Sequence, residues 1–140
     1  MPPHRLRSLI IAALSLVAIG LAGAPARAQS QGTYRLDMLT AGQKDQLFQR
    51  VDRYALVESF LTACGRPPAL ELRVRRIVRG CVAPNSLEVV AAHFRRSLAA
   101  RSAARWNCET DEARRMIARS EQTLRLAFDD LARACSRPES

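Results

Sequence analysis

The chain has one lysine against twenty-one arginines, seven aromatic side chains, two histidines and six glycines in 140 residues, and each scarcity closes off a class of function. None of the seven aromatics is interleaved with the basic runs. The chain therefore offers no platform on which successive bases could stack, and nucleic acid is not expected as a partner. Beyond the N-terminal segment the only histidine is His93, which sits in a helical pattern with no ligand type at i+4. The four cysteines form no CxxC pair and are spaced by 17, 27 and 27 residues, far from finger or ribbon spacings. No metal and no cofactor is expected. Gly32, Gly42, Gly65 and Gly80 are scattered, so there is no phosphate-cradling loop.

Catalytic arrangements are equally scarce. A nucleophile needs a base held beside it, and no Ser, Cys or Asp constellation is recognisable around His93. Asp129 and Asp130 are neighbours, which point to different faces of a helix. Glu109, Asp111 and Glu112 are explained by the positive end of a helix dipole. No catalytic residue is assigned, and a small enzyme ranks third among the functional readings.

Long apolar runs are missing too. The longest, Leu9 to Ala24, has 16 residues, short of the ~20 needed to span a membrane. Arg5 and Arg7 precede it and Ala26-Arg27-Ala28 follows it, the pattern of a secretory signal cut after Ala28. No cysteine stands near that site to carry lipid. Arg5 and Arg7 are not adjacent, which argues against the twin-arginine route. Residues 1–28 are read as a cleaved signal peptide, 29–39 as a loose lead-in with a short extended piece at 33–36, and 40–136 as one helical domain. The expected location is the periplasm or the medium, with no membrane span after cleavage. Removing Arg5, Arg7 and Arg27 leaves 19 basic and 13 acidic residues, a net charge of +6. That balance favours anionic envelope surfaces or an acidic protein, although GC-rich coding also enriches arginine.

What the chain does have is helical punctuation. Thr40 followed by Gln43 fits a capping box. Leu47, Val51, Tyr54, Leu61 and Cys64 recur at helical steps until Gly65 and Pro67-Pro68 end the pattern, which predicts a helix over 41–64. Glu58 interrupts that stripe and is expected at its rim beside an arginine. Pro68 suits the first turn of a short second helix, 69–79, with Leu70, Val74 and Ile77 inward. Asn85 with Glu88 reads as the cap of a third helix, 86–105, whose stripe is Leu87, Val90, Ala91, Phe94 and Leu98, closed by Trp106 and Asn107. Thr110, Asp111 and Glu112 open a fourth over 111–134, carrying Glu121–Arg125 and Asp129–Arg133 as i,i+4 pairs.

An exported chain with four cysteines reads as a disulfide framework. A 24-residue fourth helix is ~36 Å long, and the three residues flanking it recover only ~10 Å. A disulfide needs Cα atoms within ~7 Å. Cys108–Cys135 is therefore excluded, and Cys64–Cys81 with it. Short loops favour antiparallel neighbours, which bring Cys64 to Cys108 at one pole and Cys81 to Cys135 at the other. The expected fold is all-α: a small antiparallel up-down-up-down four-helix bundle with a short second helix and two staples.

Arg73, Arg75, Arg76 and Arg79 fall within seven residues opposite the second helix's apolar stripe, and Arg95 and Arg96 follow on the third. Such a basic face can grip an acidic partner or an anionic surface. In broad type the chain resembles small helical, disulfide-stapled periplasmic proteins, a group that includes acid-stress chaperones, lysozyme inhibitors and immunity proteins. No motif carries a functional residue across from them. The leading expectation is an exported protein-interaction module. The alternative is a binder of anionic lipid or cell-wall polymer through the arginines.

Overall fold

The structure, a computed structural model, describes residues 34–136. The expected signal segment and residues 29–33 lie outside the described residues. Four helices follow a 3-10 turn at Leu36–Met38: α1 (Ala41–Ala63), α2 (Leu70–Ile77), α3 (Pro84–Arg101) and α4 (Asp111–Ser136). Among the described residues there is no β-strand beyond an isolated parallel bridge, Tyr34 to Val82. The expected all-α bundle is what forms.

Helix α1 begins at the reciprocal capping box read from the sequence. The Gln43 N–H donates to Thr40 Oγ1, and the Thr40 N–H donates to Gln43 Oε1 at 2.8 Å. It ends with Gly65 at φ +86, a left-handed conformation that a side chain would strain. The N–H groups of Gly65 and Arg66 return to the carbonyls of Thr62 and Leu61, closing a Schellman turn.

The next two helix starts depart from expectation. Pro68 precedes the N-cap Ala69 and is not in the first turn of α2, which is shorter than read. Ala69 has no capping oxygen, so the cap comes from elsewhere. Glu58 Oε1 accepts the N–H of Ala69 at 3.0 Å, and both carboxylate oxygens lie within 3.4 Å of the Leu70 nitrogen. Glu58 is therefore not a rim residue paired with arginine. It is 6% exposed, and its acidity serves the orphan amides and positive dipole end of α2. Burial pushes its carboxyl above the ordinary range, against the pull of those two N–H groups.

Helix α3 starts at Pro84 in its first turn, with Ala83 as N-cap and no side-chain cap. The lost amide of proline is one that a helix start leaves unpaired anyway. Asn85 is thus not the cap, and Glu88 turns to Arg75 at 2.5 Å. α3 stops at Arg101, leaving Trp106 in the following loop, where its ring meets Phe60 edge-on at 5.1 Å. Helix α4 opens as expected: Thr110 Oγ1 accepts the Ala113 N–H at 3.1 Å. It runs two residues further than read and keeps Cys135 in its last turn. Its expected i,i+4 pairs do not form. Arg66 takes Glu121 across the linker at 2.7 Å, and Arg133 takes Asp130.

The disulfides are Cys64–Cys108 and Cys81–Cys135, with Cα separations of 5.4 and 5.3 Å. They close loops of 44 and 54 residues, each stabilising by about 4 kcal/mol in the chain-entropy picture. The core falls into two clusters. One, around Phe60, Leu61 and Ala113, lies toward the Cys64–Cys108 pole. The other, around Val51, Ala55, Leu70, Phe94 and Phe128, lies toward Cys81–Cys135.

Candidate functional site

At the Cys81–Cys135 pole all four helices and the N-terminal segment surround a common space. α1 contributes Leu47, Val51 and Tyr54, α2 contributes Leu70, Val74 and Val78, and α3 runs alongside from Leu87 to Phe94. Ala127, Phe128 and Leu131 of α4 face them. The space is a cavity of about 520 Å³, open to solvent on one side. It falls within the ~300–1,000 Å³ of ordinary small-molecule sites, whose walls are mostly apolar. Of its lining side chains Tyr34 and Met38 are 51% and 76% exposed, so its rim is wet. Among the described residues no large side chain is less than 2% exposed.

One wall is the segment that sequence reading leaves loose. The Tyr34 N–H donates to the Cys81 carbonyl at 3.0 Å, and the Ala83 N–H donates back to the Tyr34 carbonyl at 2.9 Å. The Leu36 N–H donates to Ser86 Oγ at 2.8 Å. These bonds tie residues 34–36 to the turn between α2 and α3 and to the first turn of α3. The described part of the lead-in is therefore a strap fixed over the cavity.

The arginines singled out from the sequence do not form one open basic face. Arg75 is held by Glu71 at 2.8 Å and by Glu88, and Arg95 by Glu71 at 2.6 Å. The Arg73 guanidinium lies 4.3 Å from the centre of the Phe128 ring, a cation–π contact with the cavity wall. Arg76, Arg79 and Arg96 are exposed and have no acidic partner among the described residues. Half of the six are thus engaged within the protein, and Glu88 is held below the usual carboxylate range by Arg75.

His93, read as isolated, has partners supplied by the fold. Its Nε2 lies 2.9 Å from Asp52 Oδ1 on α1, and its ring sits 4.6 Å from that of Phe48. Ser97 Oγ donates to the same Asp52 oxygen at 2.6 Å and accepts from Arg101 Nη1 at 2.6 Å. The order is wrong for a nucleophilic relay, because the carboxylate stands between the hydroxyl and the imidazole. Ser97 is 8% exposed, and its hydroxyl is already committed on both sides. The cluster instead clasps α1 to α3, and the Ser97 hydroxyl foremost, with His93, holds Asp52 below the ordinary carboxylate range. Spacing alone had no means of revealing it, since its members come from two helices 41 to 45 residues apart. Among the described residues no group of three His, Cys, Asp or Glu side chains is placed to hold a metal ion.

The two disulfides suit an oxidising compartment. No helix of the described region is long and apolar enough to cross a membrane. No family model, curated protein or solved structure matches the chain.

Proposed function

We propose that this is an exported, non-catalytic binding protein that takes an apolar ligand into the cavity at its Cys81–Cys135 pole. The reading includes export by a Sec-type signal, cleavage after Ala28 and residence in the periplasm or the medium. The observation that carries it is the cavity: about 520 Å³ walled by hydrocarbon from all four helices, beneath a strap bonded in place. An apolar concavity that faces water gains from an apolar occupant in proportion to the area covered. Sequence alone ranks a protein partner first and an anionic lipid or polymer second. The cavity favours an apolar ligand over both, and the pairing of Arg75 and Arg95 with Glu71 and Glu88 weakens the reading through the arginines.

The test is a neutral apolar fluorophore, N-phenylnaphthylamine, titrated against the disulfide-bonded protein. Saturable binding at one probe per chain is expected, with loss in Val90→Phe, which fills the cavity from α3. Absence of binding, or binding indifferent to Val90→Phe, would remove the cavity from function.

A specific observation keeps protein capture as the second reading. Leu72 is 71% exposed on α2, and the exposed Arg76 follows it on the same face at i+4. A one-to-one complex that survives high salt and is lost in Leu72→Asp would favour it.

A further inference from the structure

We propose that the cavity holds one long-chain fatty acid, its hydrocarbon tail along α3 and its carboxylate at Arg50. The proposal rests on the cavity reading above and adds the ligand's chemistry. Shape comes first. Along α3 the lining runs from Ser86 to Phe94, eight helical steps and so ~12 Å, and Val82 continues it into the preceding turn. A volume of about 520 Å³ with an apolar lining is the size of a site for one small ligand rather than for a protein segment.

Charge selects the other end of the ligand. Three charged side chains line the cavity: Arg35, Arg50 and Glu71. Arg35 is bound by both oxygens of Asp37, and Glu71 by Arg75 and Arg95. Arg50 has no hydrogen-bond or ion-pair partner among the described residues, and it stands exposed one turn before Tyr54. The cavity therefore presents a long apolar interior with one uncommitted positive charge at its rim. A neutral hydrocarbon leaves that charge unused, and a phosphate head would call for more than one free cation. A carboxylate on a single chain matches both, and a guanidinium can meet it with two parallel N–H bonds.

The test uses the full disulfide-bonded protein, stripped of lipid on a hydrophobic resin. Palmitate and hexadecanol, alike in chain and different in head, compete with a dansyl-labelled fatty acid, and native mass spectrometry counts bound molecules. One palmitate per chain is expected, held at least tenfold tighter than hexadecanol. Arg50→Gln should abolish that preference and leave hexadecanol binding unchanged. Val90→Phe should weaken both at least tenfold, and the double variant Arg76→Gln/Arg79→Gln should alter neither. Melting curves confirm that each variant is folded; Val74→Phe replaces Val90→Phe if the latter is not.

Equal affinity for palmitate and hexadecanol, or an Arg50→Gln variant that still prefers palmitate, would overturn the fatty-acid assignment while leaving an apolar site standing. Failure of every apolar probe would overturn both readings. Sedimentation with phosphatidylglycerol vesicles in the absence of free palmitate binding would assign the arginines to a membrane surface, and a dimer whose formation is blocked by Val90→Phe would make a second copy the occupant.

Discussion

The two poles of the bundle carry the same kind of staple and opposite kinds of core. At the Cys64–Cys108 pole α1 meets α4, and the Trp106 loop folds inward, so Phe60, Leu61 and Ala113 pack with Ile117 and Leu124 between them. At the Cys81–Cys135 pole α2 is added as a further rod, and the same packing leaves a central channel. The cluster at the first pole joins two helices and a loop, whereas the space at the second is lined by all four helices and the strap. The positions facing that space include Ala91 and Ala127, which do not fill it. Eight residues of α2, ~12 Å of helix, thus separate a solid end from a hollow one. A disulfide holds a pole together without filling it.

The sharpest break in this comparison is removal of one staple at a time. Cys64→Ala/Cys108→Ala and Cys81→Ala/Cys135→Ala should each cost about 4 kcal/mol by urea denaturation. Only the second should also abolish binding of an apolar probe, because it frees the turn to which the strap is bonded. Equal loss of binding in both variants would mean that the poles do not behave separately.

Next in size is truncation of the solid pole against filling of the hollow one. Phe60→Ala should destabilise by about 3–4 kcal/mol, as large-to-small changes in packed cores do. Val90→Phe should cost less than about 1 kcal/mol or raise the melting temperature, because overpacking is penalised only where no space exists. A large loss in Val90→Phe would show the channel to be too tight for a ring.

Glu58 joins the two poles, and its effect is intermediate. Glu58→Ala should cost about 1–2 kcal/mol through loss of the α2 cap. Glu58→Gln keeps an oxygen for Ala69 or Leu70 and should cost less. Because burial raises the folded-state pKa of Glu58, its protonated form stabilises the fold fully below the unfolded value and that stability is lost as pH rises through the folded one. The Gln variant should therefore gain on the wild type as pH rises from about 4 to 7. Asp52 has the opposite sign. Its lowered pKa contributes stability above the unfolded value, lost as pH falls through the folded one, so the gap to Asp52→Asn should close in acid. Stability curves from about pH 2 to 7 check the two signs together, Asp52 below about 4 and Glu58 above it.

The smallest effect is expected on the outside. Arg76→Gln, Arg79→Gln and Arg96→Gln should each shift stability by less than about 0.5 kcal/mol. Arg75→Gln should cost more than any of them, since it strands Glu88 and leaves Glu71 to Arg95 alone. A ranking with Arg75 among the indifferent positions would show its ion pairs to be worth no more than ordinary surface ones.

Much of the frame was legible because it is local or dimensional. Thr40 with Gln43, Gly65, and Thr110 before Asp111 act within one turn of chain, so the α1 ends and the α4 start could be read directly. The disulfide pairing followed from a length, since no short linker brings the ends of a continuous α4 together. Where a cap is borrowed across space, reading failed. Ala69 has no side-chain oxygen, and nothing in residues 69–79 announces that Glu58 reaches them. Glu71 to Arg75 is an i,i+4 pair that spacing alone could have shown, whereas Glu88 reaches Arg75 and Glu71 reaches Arg95 only after α2 and α3 are side by side.

The sequence by itself determined the helix count, the antiparallel order and the choice of cysteine partners, because periodicity, capping and chain length act through neighbours along the backbone. Only the tertiary structure decided that Asp52, His93 and Ser97 clasp α1 to α3, that half the arginines are engaged within the fold, and that a cavity of about 520 Å³ remains beneath the strap. Those features depend on how far apart the helices stand and which side chains meet between them, and that separation is set by the packing of all four helices at once.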